Sequence, residues 1–431
     1  MSTVPTPTPM PTTTRIDADG IARSIAAFAA LSEPGAGVTR LGYSALEREA
    51  HAVFARHMRE LGLEVRQDAA GNTIAEASGR RPGPAIGTGS HLDSVPQGGR
   101  YDGIAGVCAA MAVAEALRER PEPTNLPWRF VVFAAEEGAR FGQACNGSRA
   151  AAGAVSQADL DRLVDATGTS MSAAMTEVGL APREIETAAW LAEDWAAFIE
   201  LHIEQGTVLE ASSTRIGVVD AISGSSRLQV HLDGVASHTG GTPMHQRHDA
   251  LVAAAECVLT CERVANDLSH HGTRVTVGRM DVLPGSITTI PGRVAFTVDV
   301  RDFDSERQRR TARMLDREFT AAAARRGVGY RSTVIGDTSP VVLPIGIVDT
   351  IAAKASELGY SYRLLPSGAS HDAQQISRVT PTGMIFVPSI RGLSHVPEEA
   401  TDPADIARGA EVLFASMLAI DEAHTSGGAG E

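Results

Sequence analysis

The sequence has no long apolar segment, few cysteines and an excess of acidic over basic residues. No apolar run approaches the roughly twenty residues that a membrane-spanning helix needs, so we expect no membrane partner. The first residues, MSTVPTPTPMPTTTR, lack the charged and apolar regions of a signal peptide. Four cysteines in 431 residues do not make a disulfide framework, and we expect free thiols. These absences predict a cytoplasmic protein.

The charge balance narrows the class of partner. The net charge of -14, from 38 basic and 52 acidic residues, repels phosphate backbones and anionic surfaces, so nucleic acid is not expected as a partner. With 43% hydrophobic residues the chain can bury large cores, and its length suggests two domains.

Helix and strand patterns alternate from Ile16 to about Ala221. Helical segments at 46–62 and 103–120 alternate with buried strands at 84–92 and 128–137. The rhythm returns later with a helix at 347–359, a strand at 382–389 and a last helix from Pro403 to about Ala419. This alternation predicts an α/β fold: a mixed, largely parallel sheet with helices on both faces. Ligands of such sheets bind at the carboxyl ends of the strands.

A segment with another rhythm interrupts this pattern. Residues 222–335 follow the order βαββαβ, which is typical of a ferredoxin-like layer. We therefore predict an inserted lid domain at 222–335 and a discontinuous catalytic domain at 15–221 and 336–422. The Pro/Thr-rich segment 1–14 predicts a disordered tail, and 423–431 a flexible one.

The stretch SHLDSVPQGGRYDG brings together one imidazole and two carboxylates around small residues. His91 and Asp93 follow a buried strand, and Asp102 precedes a helix whose dipole favours a carboxylate. Glycines such as Gly103 let the backbone fold tightly enough to bring Asp102 towards His91. A polar loop with Asp102 as helix cap explains that residue alone, but not the three groups together.

Three further clusters follow predicted strands. Glu136 and Glu137 end the strand at 128–137, and adjacent side chains on a strand point to opposite sides. His202 and Glu204 alternate on one face of the strand in FIELHIEQG, and His395 lies in GLSHVPEE. An exposed strand end or a core histidine explains each cluster alone. Together, three imidazoles and carboxylates at the strand ends of one sheet are typical of a pair of zinc-like ions.

With these motifs the chain resembles the metal-dependent amidohydrolases of the carbamoylase and allantoate amidohydrolase group, within the M20 metallopeptidase superfamily. The resemblance covers nearly the whole predicted folded chain. The motifs that carry it are GSHLDSVPQGGRYDGIAGV, FAAEEGARFG, GSRA, LHIEQG, SHTGGTPMHQRHDAL, VDVRD, PSGASHDAQ, PTGMIFVPS and GLSHVPEEATDP.

The resemblance implies a role for each residue of the metal centre. It implies one metal on His91 and His202, a second on Glu137 and His395, and Asp102 bridging the two. It also implies that Asp93 orients His91 and that Glu136 is the general base, which moves a proton from the attacking water to the leaving nitrogen. Imidazole and carboxylate ligands accept Zn, Mn, Co or Ni.

The resemblance also implies the substrate class. Peptidases of the superfamily usually have an acidic ligand where this chain has His202, which favours ureido or related amide substrates over peptides. Arg301 matches the carboxylate-binding arginine, and His238 matches a histidine that stabilises the oxyanion in a partner subunit's site. Further substrate contacts are implied for Gln205, Gly368 and Ala369. The resemblance also implies that two copies of the chain form a homodimer through the inserted domain.

Three positions depart from the family pattern. Thr288 replaces an asparagine that would contact substrate, Ser370 replaces a frequent glycine, and Arg391 adds a cation beside the His395 loop. Because threonine cannot reproduce the donor and acceptor of an amide, the substrate can differ from ordinary carbamoyl amino acids.

Three hypotheses remain from the sequence. The first is hydrolysis of an N-carbamoyl-L-amino acid, the second is hydrolysis of allantoate or another N-acyl or amide substrate, and the third is a non-catalytic metal-binding protein. The presence of Glu136 beside five ligands argues against the third, because binding alone needs no base. Cys257 and Cys261, with His270 and His271 beyond, lack the spacing of a zinc finger and predict core thiols.

Overall fold

The structure is a computed structural model that describes residues 15–426. The predicted tail at 1–14 and the end of the predicted tail at 423–431 lie outside these residues. The α-helices are α1 (Ala18–Ala29), α2 (Ala45–Glu60), α3 (Ile104–Arg118), α4 (Asn146–Ala151), α5 (Gln157–Arg162), α6 (Met171–Glu177), α7 (Val208–Ala211), α8 (Ala250–Ala265), α9 (Ser305–Arg326), α10 (Ile345–Glu357), α11 (Asp372–Ile376) and α12 (Pro403–Ser426). The strands are β1 (Glu64–Gln67), β2 (Thr73–Ala77), β3 (Ala85–His91), β4 (Trp128–Phe133), β5 (Trp195–Ile203), β6 (Ile216–Ile222), β7 (Gly224–Asp233), β8 (Ser237–His238), β9 (Arg274–Leu283), β10 (Thr289–Ile290), β11 (Arg293–Asp302), β12 (Gly329–Thr338), β13 (Val341–Val342), β14 (Tyr362–Ser367) and β15 (Thr382–Val387).

The large sheet has the order β1-β2-β4-β3-β5-β15-β6-β13, with β14 paired to β6. Its centre, β4-β3-β5-β15, is parallel, whereas β1, β2 and β13 pair antiparallel towards the edges. All seven residues of β3 are buried, as expected for a strand covered on both faces. The predicted mixed, largely parallel sheet is confirmed.

Helices cover both faces of this sheet. On one face α1, α3, α10 and α12 pack together over a core that includes Phe130 and Val132 of β4. On the other face, Val131 and Phe133 of the same strand pack with Phe198 beside α4 and α11. The alternation along β4 therefore places apolar side chains in two cores, and this explains its uniformly apolar sequence.

The segment predicted as an insert forms a four-stranded antiparallel sheet of order β12-β7-β11-β9. This is the strand order of the predicted βαββαβ layer. Helices α8 and α9 cover one face, where Val294, Phe296 and Val300 join a separate core. Strand β12 continues to Thr338, three residues past the predicted end of the insert.

The structure corrects two predicted boundaries. The strand predicted to include Glu136 and Glu137 ends at Phe133, so the glutamates lie in the following loop. The last helix runs to Ser426, past the predicted end at Ala419 and into the predicted flexible tail. Patterning also missed β1 and β14, which are too short to give a clear period. It missed α1 as well, although Ile21, Ile25 and Phe28 form a buried face at helical spacing.

Cysteine placement agrees with the prediction. Cys257 and Cys261 are buried in the core of the four-stranded sheet, and all four cysteines are free. Within residues 15–426, no helix is both long enough and apolar enough to cross a membrane.

Candidate metal centre and substrate cavity

The predicted ligands meet at the carboxyl ends of the central strands of the large sheet. Because β3, β4, β5 and β15 are parallel, these ends lie side by side. His91 is the last residue of β3, and His202 is the penultimate residue of β5. A cavity of about 700 Å³ opens there, and its walls include His91, Asp102, Glu136, Glu137, His202 and His395.

Two groups of ligand atoms share the carboxylate of Asp102. Its Oδ1 lies 3.1 Å from Nε2 of His202 and 3.6 Å from Nε2 of His91. Its Oδ2 lies 3.2 Å from Nε2 of His395, which is also 3.2 Å from Oε1 of Glu137. One group is therefore His91, Asp102 and His202, and the other is Asp102, Glu137 and His395.

The glycine before α3 allows this approach. Gly103 has φ of 69°, and a Cβ on it would lie 2.4–2.5 Å from three ring atoms of His91. No side chain fits between the start of the helix and the imidazole. The small residues of this stretch are predicted to allow close approach, and Gly103 allows the start of α3 to approach His91.

In the loop that carries Glu136 and Glu137, side chains accept the backbone hydrogen bonds that a neighbouring strand would otherwise accept. The backbone N–H groups of Ala134 and Ala135 donate to Asn72 and Glu47, at 2.9 and 2.7 Å. Those of Glu136 and Glu137 donate to the two carboxylate oxygens of Asp93, at 2.9 and 3.0 Å. Ala135 adopts a left-handed φ of 50°, which turns the chain out of the sheet. Buried acceptors therefore stop β4 early and fix both glutamates.

Asp93 thus does more than the predicted orientation of His91. Nδ1 of His91 lies 3.2 Å from the backbone carbonyl of Asp93 and 3.5 Å from its carboxylate. The stronger hydrogen bonds of the carboxylate go to the Glu136–Glu137 backbone. Asp93 therefore holds His91 and the glutamate loop in one arrangement.

The imidazole of His202 presents a lone pair to the centre. Its Nδ1 lies 2.9 Å from the carbonyl of Ile203, which assigns the proton to Nδ1. The N–H of Gly103 donates to Nε2 at 3.2 Å, as expected for an acceptor. Nε2 of His202 and Oδ1 of Asp102 face the same space, 3.1 Å apart, where a proton or a metal cation removes the repulsion between their lone pairs.

The pKa shifts in this centre arise from the same clustering of imidazoles and carboxylates. Burial lowers the pKa of His91, but hydrogen bonds to Asp102 and Asp93 outweigh it and raise this pKa well above its usual value. Burial raises the pKa of Asp102, yet the imidazoles hold it well below its usual range. The negative charge of Glu137 raises the pKa of His395 to about 11. The carboxylates of this centre therefore favour positive charge on the imidazoles or on a cation held among them.

Glu136 lies beside the ligand groups without belonging to either. Its Oε2 is 3.9 Å from Nε2 of His91, and its Oε1 accepts a hydrogen bond from the thiol of Cys145 at 2.9 Å. Burial, reinforced by the charge of Glu137, raises the pKa of Glu136 to about 7. A carboxyl that changes protonation near neutral pH suits a general base.

The donor set fits divalent metal ions. Three imidazole nitrogens and two carboxylates, one of them shared, match the ligands that Zn and similar ions prefer. A shared carboxylate is also the feature that links two ions in two-metal hydrolases.

A third group, Glu200, His202 and His371, is buried behind the centre. Both carboxylate oxygens of Glu200 are in use, with Ser90 Oγ at 2.8 Å and the N–H of Ala373 at 2.7 Å. Nε2 of His371 lies 2.8 Å from Ser367 Oγ. Because Glu200 and His371 already have hydrogen-bond partners within the protein, we interpret this group as a buried polar layer that supports His202.

Sequence reasoning missed three supports of Asp102. Glu399 is buried, and its Oε1 accepts from the N–H groups of Tyr101 and Asp102, at 2.8 and 3.0 Å. Ser394 Oγ donates to Oδ2 of Asp102 at 2.7 Å, and Nε2 of Gln205 lies 2.6 Å from the same oxygen. The sequence shows Glu399 as one of the two acidic residues after His395. It does not show that Glu399 accepts a hydrogen bond from the backbone of Asp102.

Four of the predicted substrate contacts line the cavity: Arg301, Gln205, Gly368 and Ala369. Ser370 also lines it, whereas Arg391 does not. Instead, the backbone N–H of Arg391 donates to Glu210 at 2.9 Å. Glu204 caps α7, because its carboxylate accepts from the N–H groups of Val208 and Leu209.

His238 and Thr288 lie together, outside the cavity of their own chain. His238 is the last residue of β8, and Thr288 directly precedes β10, the antiparallel partner of β8. The N–H of Thr239 donates to the carbonyl of Thr288 at 3.1 Å. Nδ1 of His238 accepts from the N–H groups of Gly240 and Gly241, both at 3.1 Å, so the proton is assigned to Nε2. The exposed His238 is therefore a hydrogen-bond donor directed away from its own backbone.

Comparison with known proteins gives a consistent picture. The model of Peptidase family M20/M25/M40 matches residues 87–419. An N-carbamoyl-L-amino-acid amidohydrolase of Paenarthrobacter aurescens is 42% identical over 408 residues, covering 94% of this chain and 99% of the relative. An allantoate amidohydrolase of Escherichia coli K12 is 34% identical over 392 residues, covering 89% and 92%. The crystal structure of a hydantoinase/carbamoylase family amidase from Burkholderia vietnamiensis matches with a TM-score of 0.88 and 34% identity, covering 95% of this chain and 98% of that one.

Proposed function

The chain belongs to the peptidase family M20/M25/M40, and we propose that it is a two-metal amidohydrolase that cleaves N-carbamoyl-L-amino acids. The products are the L-amino acid, carbon dioxide and ammonia. The observation that carries this proposal is the carboxylate of Asp102 shared between two ligand groups, beside a carboxyl that belongs to neither.

Each ligand group would hold one divalent ion. His91 and His202 would hold the first, Glu137 and His395 the second, and Asp102 both. Bound there, the ions supply Lewis acidity that polarises the carbonyl and favours ionisation of water. Zn, Mn, Co and Ni all suit this ligand set.

Glu136 is the general base in this proposal. It takes a proton from the attacking water as the water oxygen forms a bond to the carbonyl carbon. The C–N bond then breaks, and the proton passes to the leaving nitrogen. The thiol of Cys145 and the carboxylate of Asp93 hold Glu136 in place, through its Oε1 and its backbone N–H.

Arg301 would bind the carboxylate of the substrate. It reaches the cavity from β11, and its planar guanidinium can donate two parallel hydrogen bonds to a carboxylate. The amide of Gln205 and the backbone around Gly368 and Ala369 would complete the pocket.

A homodimer would add the missing oxyanion donor. His238 in β8 and Thr288 just before β10 are both exposed, belong to the inserted segment and do not line their own cavity. We assign both to the cavity of the partner subunit, with Nε2–H of His238 donating to the oxyanion. The insert then acts as lid and dimer interface.

We also propose a cytoplasmic location, with which the free thiols agree.

Substrate turnover tests the proposal. The metal-loaded protein is assayed for ammonia release from N-carbamoyl-L-amino acids and allantoate, and for free amine release from N-acetyl amino acids and dipeptides. Ammonia from the carbamoyl compounds is the expected result. Ammonia from allantoate alone would favour the activity of the Escherichia coli relative, and cleavage of only acyl or peptide bonds would contradict the ureido assignment.

A further inference from the structure

We propose that the cavity has a second anion site, at Arg274, which recognises a side-chain carboxylate of the substrate. The preferred substrates are then N-carbamoyl derivatives of acidic amino acids. This inference rests on the proposed function, because it assigns the α-carboxylate to Arg301.

Arg274 and Arg301 are direct neighbours across two strands. They are Cα partners in the register of β9 with β11, and both side chains line the cavity. Like charges directly opposite each other destabilise a sheet by roughly 0.2–1 kcal/mol. Such a pair gives no advantage to the fold, but it forms a binding site once an anion lies between or beside the two guanidinium groups.

The two guanidinium groups also converge on one glycine. Nη1 of Arg301 lies 3.2 Å from the carbonyl oxygen of Gly368, to which it donates. A Cβ on Gly368 would lie 2.7 Å from Nη1 of Arg274. The missing side chain at Gly368 therefore leaves room for both arginines at the same wall of the cavity.

The charges on this wall are not balanced within the described chain. Asp299 is 3.0 Å from Nε of Arg301 and 3.8 Å from Nε of Arg227. Arg274 has no carboxylate within 4 Å among the residues that the structure describes. Arg363 also lines the cavity and has no carboxylate within 4 Å among the described residues. Asp299 thus pairs only with Arg227 and Arg301, so four guanidinium groups and one carboxylate leave a formal excess of three positive charges. A monocarboxylate would offset one of these charges, whereas a dicarboxylate would offset two.

Arginine chemistry favours a carboxylate as the second group. A planar guanidinium donates two parallel N–H groups, which match the two oxygens of a carboxylate. An apolar side chain in the same place provides no acceptor for Arg274, and an amide provides one neutral oxygen in place of the two charged oxygens of a carboxylate. Acidic side chains are therefore favoured over their amides, although the two have nearly the same size.

Matched substrate pairs test this inference. We expect kcat/KM of the wild-type enzyme for N-carbamoyl-L-glutamate to exceed that for N-carbamoyl-L-glutamine by roughly 2- to 5-fold, the effect of one ion pair with an exposed arginine. Arg274→Ala should reduce this ratio to near one, and Arg274→Lys should restore part of it. Arg279→Ala is the matched control, because Arg279 lies on the same strand, pairs with Asp281 and does not line the cavity. It should keep the wild-type ratio.

The outcomes separate this inference from the proposed function. Equal kcat/KM for both substrates, or a ratio unchanged in Arg274→Ala, would overturn the second site and leave the proposed function intact. If no carbamoyl substrate is cleaved, the proposed function fails, and calorimetry on the metal-loaded protein decides the second site. Glutarate should then bind more tightly than its monoamide, and Arg274→Ala should remove the difference; equal binding of the two compounds would overturn the inference.

Discussion

Glu399 holds Asp102 in place through the backbone: its Oε1 accepts the N–H of Asp102 at 3.0 Å and that of Tyr101 at 2.8 Å. Its other oxygen lies 2.9 Å from Ser394 Oγ, and the same hydroxyl donates to Asp102 Oδ2 at 2.7 Å. The carboxylate proposed to bridge two metals is therefore supported on both its main chain and its side chain.

Glu399→Ala should weaken metal binding by roughly 10- to 100-fold, the usual effect of removing a group that orients ligands. It leaves two buried N–H groups without their acceptor, so it should also lower the free energy of unfolding by about 1–3 kcal/mol. Chelator competition and thermal unfolding measure the two effects. The control is Glu398→Ala, whose side chain is exposed and should change neither; equal effects of both variants would contradict the role of Glu399.

Gly103→Ala should disrupt the His91 side of the centre. The new Cβ would overlap the imidazole ring, and φ of 69° is itself unfavourable for alanine. The control Gly62→Ala also has positive φ, 86°, but no atom lies within 4 Å of the added carbon. Both variants should lose stability by about 1 kcal/mol from the backbone, and only Gly103→Ala should lose bound metal. Normal metal content in Gly103→Ala would disprove the need for close approach.

Glu136→Gln should retain both metals and lose turnover by roughly 10²- to 10⁴-fold, because the amide cannot accept the proton of the attacking water. Metal content and kcat on the best substrate are the measurements. Cys145→Ser serves as a comparison, since it retains a hydrogen-bond donor to Glu136 and should keep most activity. Near-normal turnover by Glu136→Gln would contradict the assignment of the base.

Metal content of single variants tests the two ligand groups separately. Wild-type protein loaded with Zn or Mn should contain two ions per chain. His202→Ala and His395→Ala should each lower the affinity of one ion, because each histidine belongs to a different group around Asp102. Asp102→Ala should weaken both, and His271→Ala should weaken neither. Elemental analysis after dialysis gives the counts, and loss of both ions in His202→Ala alone would indicate a different grouping.

The motifs in the sequence identified the ligand candidates because imidazoles and carboxylates after buried strands are costly unless they bind something. Strand alternation identified a sheet in which those residues could share one edge. The parallel order of β3, β4, β5 and β15 places them there.

Patterning could not locate the residues whose partners are distant in the chain. The apolar run before Glu136 predicts a longer strand, yet Asn72, Glu47 and Asp93 take the N–H groups that would have continued it. Likewise Glu399 is 297 residues from the N–H of Asp102 that it accepts.

The sequence by itself determined the type of centre, because ligand chemistry depends on residue identity and on positions relative to strand ends. Only the tertiary structure decided the rest: that Asp102 faces both ligand groups, that His238 and Thr288 lie away from their own cavity, and that Arg274 meets Arg301 at Gly368. Those relationships depend on sheet register and on packing between distant segments, which local periodicity does not encode.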